Sequence, residues 1–323
     1  MKAITITKFG GPEVLQLVER PAPEPSRGEV RVRVRATALN RADLLQRIGA
    51  YAAPADSSPD IPGLEFAGEV DALGADTARF AIGDRVFGLV GGGGYAEALV
   101  THERALAKIP DGVSFEDAAA IPEAFVTAHD AMVTQAGLTA GEVLLVHAIG
   151  SGVGTAAAQL GRALGALVIG TARTEDKLAR AKSLGMDHGV VVKDGKFADA
   201  VKAIAQPHVV LELVGGGYLD EDLRCLRTQG RIMMVGLMAG AKATVDLAMI
   251  LHKRARVIGT VLRARPLEQK IAGMRAFEEQ VVPLLARGKI APVVDCVMPL
   301  ADAAAAHVRM ASNDSFGKIV LRV

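Results

Sequence analysis

The segment Val146-His147-Ala148-Ile149-Gly150-Ser151-Gly152-Val153-Gly154 follows the apolar run Val143-Leu144-Leu145-Val146 and opens an alanine-rich stretch with helical spacing. A strand that turns sharply into a helix presents backbone N–H groups to an anion, and glycine keeps side chains out of the way. The chemistry this suits is the binding of a pyrophosphate. The G-x-G-x-x-G pattern is not intact: ending it on Gly154 places Ile149 and Ser151 where the first two glycines would stand. A tight turn without a ligand is the competing reading. The next strand closes on Gly170-Thr171-Ala172-Arg173. A site for NAD uses an acid here to hold the ribose 2′-hydroxyl. Ala172 takes that place, followed by Arg173 and Lys177, whose cations suit an adenosine 2′-phosphate. The pattern therefore predicts NADPH over NADH, although Glu175 lies between the two cations. The alternative is that Arg173 and Lys177 are the solvated start of a helix.

These residues need a scaffold, and the rest of the chain describes one. Beyond Val143, apolar runs alternate with helical stretches: Ala166–Gly170, Glu175–Leu184, Gly189–Val192, Val209–Leu213 and Arg231–Val235. Such alternation predicts a parallel sheet with helices on both faces. The first third reads as β-rich. Glu29-Val30-Arg31-Val32-Arg33-Val34-Arg35 has strict period 2, which gives one valine face and one charged face. Its arginines fit a solvated strand face better than a polyanion site. Ser114-Phe115-Glu116-Asp117 predicts a helix start, with helical spacing continuing past Ile121 towards Met132. The closing Gly317-Lys318-Ile319-Val320-Leu321 is a strand that returns to the first domain. The predicted fold class is therefore α/β.

Composition narrows the function classes. A chain of 323 residues suggests two domains. With 37 basic and 36 acidic residues the net charge is +1, which argues against nucleic acid or an acidic membrane as partner. Trp is absent and Phe plus Tyr are few, so a base-stacking platform is not expected. Cys225 and Cys296 form no C-x-x-C pair, which excludes a disulfide scaffold and a thiolate zinc site and fits a reducing, cytoplasmic setting. The start, Met1 to Thr7, alternates like a strand and lacks the apolar core of a signal peptide. The weakly charged stretch Val143–Gly161 reads as strand, turn and helix, not as a membrane span.

Several segments, taken in order, resemble the zinc-free quinone oxidoreductase branch of the medium-chain dehydrogenase/reductase superfamily, of the p53-inducible quinone oxidoreductase type. They are Ala36 to Tyr51, Pro62-Gly63-Leu64-Glu65, Gly83-Asp84-Arg85-Val86, Ala118-Ala119-Ala120-Ile121-Pro122-Glu123-Ala124, Ser151-Gly152-Val153-Gly154-Thr155, Gly236-Leu237-Met238 and the closing strand. The resemblance implies a GroES-like β-barrel catalytic domain at 1–120 and 268–323, and a Rossmann NADPH-binding domain at 121–267. It implies a homodimer acting on a small quinone or enone. It places Asn40, Gln46 and Tyr51 on the substrate side and Thr127 near the nicotinamide. Ser151, Gly152 and Val153 would meet the pyrophosphate, and Lys177 the 2′-phosphate. Gly236, Leu237, Leu262 and Arg263 would approach the nicotinamide from the Rossmann side.

In zinc alcohol dehydrogenases of this superfamily a Cys ligand falls at Asn40 and a His ligand at Leu64. No histidine of this chain has a spaced partner to rebuild such a site, so no metal is expected. Many relatives carry Tyr at Gln46, and a Tyr that packs near the 2′-phosphate falls at Val192. Reducing a quinone puts charge on oxygen, and Tyr51 is the expected donor, with Asn40 orienting it. A Tyr51 that merely packs in a loop is the plainer alternative. Asp43 is expected to cap a helix or pair with Arg41 or Arg47. Gly91–Gly94 is expected to form a sharp hairpin, His252 to Arg256 a solvated helix end, and Cys225 a packed thiol. The leading function is NADPH-dependent quinone reduction by hydride transfer. The alternatives are an NADPH-dependent alkenal or enone reductase and a non-enzymatic NADPH-binding redox sensor.

Overall fold

Period 2 in Glu29–Ala38 has the expected consequence: Val30, Val32 and Val34 are buried, while the arginines between them face outward. Those arginines are held by carboxylates, Arg31 by Asp71 at 2.8 Å and Arg33 and Arg35 by Glu69 at 2.8 and 2.7 Å. This is a paired solvated face, not a polyanion site. The structure, a computed structural model, describes all 323 residues and divides into two compact units. One comprises Met1–Val126 and Leu262–Val323, the other Thr127–Val261.

In the first unit, Glu29–Ala38 is the strand on which the sheet is built. The sheet runs in the order Val294–Pro299, Lys318–Arg322, Glu29–Ala38, Glu65–Leu73, Arg85–Leu89, Leu106–Lys108. Ala98–His102 also pairs with Glu29–Ala38, along its first half, while Lys318–Arg322 takes its last three residues. The C-terminal strand thus returns to the first unit, as its sequence predicts. Helix Leu267–Gln280 packs on this sheet: the ring of Phe277 meets that of Phe87 edge-on at 5.8 Å.

The second unit is a six-stranded parallel sheet in the order His188–Val191, Leu167–Ala172, Val143–Val146, Val209–Glu212, Arg231–Met234, Arg256–Gly259. Counted within the unit this is 3-2-1-4-5-6, with the direction of winding reversing beside Val143–Val146. Leu144, Leu145 and Val146 are fully buried, which is why the run reads as continuously apolar.

The helix expected to run from Ser114 towards Met132 is broken. Ser114 caps a short helix, Phe115–Ala119, by accepting the Asp117 N–H at 3.0 Å. A second helix, Pro122–His129, starts on the proline, which has no N–H to continue the first. Asp130–Gln135 then widens into a π-turn. At the end of helix Leu247–Lys253, His252 is exposed, whereas Lys253, expected to be solvated, is half-buried and donates to the Arg224 and Leu226 carbonyls at 3.0 and 2.5 Å. No helix is long and apolar enough to cross a membrane.

The edge contact of Phe277 predicts a specific cost. Phe277→Ala removes a fully buried ring and should destabilise the protein by about 3–5 kcal/mol, read as a lower denaturant midpoint. A loss under about 1 kcal/mol would mean that the helix contributes little to this core.

Candidate functional site

The nucleotide turn lies at the C-terminal edge of the parallel sheet. Ala148 adopts a left-handed φ of 46°, and the Ile149 N–H bonds to the Thr171 carbonyl at 3.0 Å. Helix Gly152–Ala163 begins here, capped by the Ser151 hydroxyl, which accepts the Gly154 N–H at 3.0 Å. Gly154 must be glycine, because a Cβ there would stand 2.5 Å from the Ala148 carbonyl oxygen. The amides of Gly152 and Val153, at the first turn, have no carbonyl one turn back within the helix. Two free donors and the positive end of the dipole make an anion seat.

Three loops around this seat are tied together by buried groups that the sequence reading did not single out. His147 precedes the turn, with Nδ1 at 2.8 Å from the Thr171 hydroxyl and Nε2 at 2.7 Å from Asp222. Its ring packs against Phe197 and Tyr218. Glu212 Oε1 accepts the N–H groups of Val214 and Gly215. Topology brings His147, Glu212 and Asp222 within 4.8 Å, although their positions lie far apart in sequence. Glu212 Oε2 and Asp222 Oδ2 are buried with no donor. Burial raises both carboxyls, and one proton held by the pair relieves two facing acceptors at once. Burial lowers the His147 imidazole, so the ring stays neutral. Both its nitrogens are engaged, and the cluster serves as a hydrogen-bonded brace.

The remaining cofactor candidates fall around this edge or apart from it. Ala172 is buried at the end of its strand, Arg173 is exposed, and Lys177 is half-buried on the first turns of helix Glu175–Lys182. Val192 is buried beside Ala172, whose carbonyl accepts its N–H at 2.8 Å. The Gly236 N–H bonds to the Glu212 carbonyl at 3.2 Å, and Leu237 is exposed. The Thr127 hydroxyl is buried with no partner. An anion seat at a helix N-terminus, a turn too tight for a Cβ at Gly154 and the orphaned Thr127 hydroxyl fit a dinucleotide.

Leu262 and Arg263 belong to the first unit, not to the Rossmann side where they were expected. Arg263 is drawn there by its acceptors. Its guanidinium donates to the Gly91 carbonyl at 2.7 Å, to Gln46 Oε1 at 2.5 Å and to the Tyr51 carbonyl at 3.4 Å. It also lies 5.1 Å from the centre of the Tyr51 ring. It is only 7% exposed, and its hydrogen-bond acceptors are all uncharged; the Asp43 and Glu123 carboxyls act on it from nearby without bonding to it. Gln46 is fixed at its other end, donating to the Pro59 carbonyl at 3.1 Å. Tyr51 is half-buried, and burial raises its phenol.

Asn40 does not orient Tyr51, contrary to expectation. Its amide donates to Glu65 Oε1 at 2.9 Å, and its oxygen accepts from Lys318 Nζ at 2.5 Å. Lys318 also pairs directly with Glu65 at 2.6 Å and donates to the Leu39 carbonyl at 2.7 Å. All three side chains are buried. The group that holds Tyr51 is Arg263. Asp43 caps helix Arg41–Arg47: its carboxyl accepts the N–H groups of Asn40 at 2.8 Å and Gly63 at 3.1 Å and the Tyr95 hydroxyl at 3.2 Å. Burial raises that carboxyl to about 6. Gly63 has φ +99°, and a Cβ would meet the Tyr95 ring at 2.5 Å. Gly91–Gly94 folds as a turn stitched to Ile61 and Gly63, with no phosphate seat.

A small cavity in this unit is lined by Leu64, Leu89, Val90, Glu123, Val126, Leu262, Arg263 and Lys270. Asn40 and Leu64 stand at positions that carry zinc ligands in the zinc alcohol dehydrogenases. A carboxamide already bound at both ends and an isobutyl group do not rebuild that site.

Comparison with known proteins agrees with this architecture. The alcohol dehydrogenase GroES-like domain matches residues 26–111, and the zinc-binding dehydrogenase domain matches 152–279. A quinone oxidoreductase of Pseudomonas aeruginosa is 33% identical over 99% of this chain and 99% of its own. The Escherichia coli quinone oxidoreductase, crystallised with NADPH, superposes with a TM-score of 0.88 at 29% identity over the full length of both chains. A crystal structure described as an NAD-dependent alcohol dehydrogenase gives a TM-score of 0.88 at 34% identity, also over both full lengths. The chain belongs to the zinc-free quinone oxidoreductase branch of the medium-chain dehydrogenase/reductase superfamily. It is an oxidoreductase enzyme.

Two consequences can be measured. Lys318→Met leaves the Glu65 carboxylate buried without its cation and should cost about 3–5 kcal/mol in denaturant unfolding. A cost near zero would show that water reaches Glu65. The Glu212–Asp222 pair keeps a proton that the unfolded chain releases near the ordinary carboxylate range. The native state then binds more protons, so stability falls as pH rises. Asp222→Asn should flatten that fall between about pH 5 and about pH 8, and an unchanged slope would contradict a shared proton.

Proposed function

We infer that this oxidoreductase is an NADPH-dependent quinone reductase working without a metal. The observation that carries the reading is Arg263, a buried cation satisfied only by uncharged oxygens beside Tyr51 and an apolar cavity. A quinone that gains a hydride gains negative charge on oxygen, and a fixed cation in a poorly hydrated site stabilises that charge. A reduced nicotinamide supplies the hydride when bound. The protein's part is to hold the acceptor, exclude water and stabilise the oxygen. Tyr51, its ring under Arg263, offers both a stacking surface and a hydroxyl. Leu64, Leu89, Val90 and Val126 provide the apolar wall.

In the second unit, Gly152, Val153, Gly154 and Ser151 would hold the pyrophosphate, and Thr127, Gly236 and Leu237 the nicotinamide end. Arg173 and Lys177, with Ala172 in place of an acid, support the 2′-phosphate of NADPH. One observation favours a neighbouring reading, an alkenal or enone reductase: Gln46 stands where a second aromatic ring would widen the stacking surface.

Steady-state rates with 1,4-benzoquinone and 9,10-phenanthrenequinone against 2-alkenals decide between the acceptors. Quinones should turn over faster, and turnover of alkenals alone would overturn the quinone reading. Lys177→Ala should raise KM for NADPH by roughly tenfold or more while leaving KM for NADH nearly unchanged, as expected for a lost charge-assisted contact. Equal effects on both would show that Lys177 does not meet the 2′-phosphate.

A further inference from the structure

We propose that Glu123 is the proton donor to the oxygen of the reduced acceptor, from its position in the wall of the first unit's cavity beside Leu64 and Arg263. The proposal rests on the quinone reductase reading and adds to it the source of the proton.

The geometry sets Glu123 apart from the other acids of this unit. Glu65 is consumed by Lys318, Asn40 and the Glu123 backbone N–H, which binds Glu65 Oε2 at 2.8 Å. Asp43 is consumed by the Asn40 and Gly63 amides and by Tyr95. Glu123 is fixed in place through its main chain, whereas no protein donor holds its carboxyl, which lines a cavity whose other walls are mainly apolar. An acid in a cavity wall, with its backbone anchored and its carboxyl claimed by no hydrogen bond, is placed to hand over a proton. The position of Leu64 matters for the same reason. Leu64 is a hydrocarbon, and Arg263 can stabilise the charge on oxygen but does not give up a proton, so the proton must come from another group.

The charged and titratable groups acting on Glu123 are Glu65, Asp43, Lys318, Arg263 and Tyr51, with Lys270 in the same wall. Burial and the nearby Glu65 carboxylate raise the Glu123 carboxyl to about 7, against the opposing pull of Lys318 and Arg263. It therefore holds its proton below about pH 7 and loses it as pH rises through that value.

The step balances. Hydride transfer delivers two electrons and one hydrogen nucleus to the quinone, leaving a monoanion with charge on oxygen. The Glu123 O–H bond breaks, the proton joins that oxygen, and a neutral hydroquinone forms. The resulting carboxylate takes a proton back from water. For an enone the same proton quenches the enolate.

The test has two arms. In the first, infrared difference spectra of the protein without cofactor are recorded across pH, for wild type and Glu123→Gln. Besides the band of the Glu212–Asp222 pair, which both proteins keep, one protonated-carboxyl band should disappear from the wild type as pH rises through about 7 and be absent from the variant. In the second, quinone turnover is measured with NADPH. Glu123→Gln should lower kcat by about 10²-fold, the usual scale for a general acid, with KM for NADPH within about twofold. Wild-type kcat should fall above about pH 7, and the variant should lose that limb. Glu123→Asp should recover part of the rate. NADPH binding by the variant, followed by fluorescence, shows that it is folded. A variant as fast as wild type with the same alkaline limb would overturn the assignment, as would an unchanged carboxyl band. A wild type that reduces neither quinones nor enones would instead overturn the functional reading beneath it.

Discussion

The buried pair of Lys318 and Glu65 is the constraint on which the first unit depends. Glu65 has no exposed surface and Lys318 is 5% exposed, so neither charge is tolerable alone. The pair joins the C-terminal strand to the strand Glu65–Leu73 although Glu29–Ala38 runs between them in the sheet. The last residues of the chain therefore complete an environment whose other members come from its first third. Asn40 locks into the same pair and ends the strand where helix Arg41–Arg47 begins. That helix carries Gln46, which holds Arg263, and Arg263 in turn holds Tyr51. The links are hydrogen bonds among side chains and backbone, joined through the helix itself.

The second unit solves a different problem by similar means. A nucleotide turn needs amides left unpaired, and unpaired amides are costly unless the surrounding loops are fixed. His147, Glu212 and Asp222 fix them from beneath, with Thr171 and the Phe197 and Tyr218 rings completing the packing. One unit thus uses a buried ion pair and the other a carboxyl pair sharing a proton. Each leaves groups without a hydrogen-bond partner: free amides in the second unit, and the Glu123 carboxyl in the first.

Much of this was legible in the sequence. Parallel strands announced themselves as apolar runs, and Glu29–Ala38 by its period. The nucleotide turn was readable because strand, glycines and helix occur in order within a few residues. What could not be read depended on residues far apart in the chain. Arg263 is next to Leu262 in sequence but takes its acceptors from Gln46, Tyr51 and Gly91. Asn40 looked like a neighbour for Tyr51, yet Glu65 and Lys318 claim it. The brace around His147 joins three strand ends that no spacing rule connects. A signal was present for Glu65 and Glu123: each is a lone carboxylate in an otherwise apolar segment, Leu64 to Ala67 and Ala118 to Val126. An acid in such a setting is either paired or functional, and here one is paired and the other is assigned to chemistry.

The central claim is that this chain moves a hydride to an acceptor whose oxygen is served by protein groups alone. The most direct measurement is single-turnover oxidation of NADPH by 1,4-benzoquinone, using cofactor labelled with deuterium at either of the two C4 positions. The account predicts a slower reaction with one labelled epimer and a full two-electron product. Equal rates with both epimers, together with a radical product, would contradict it.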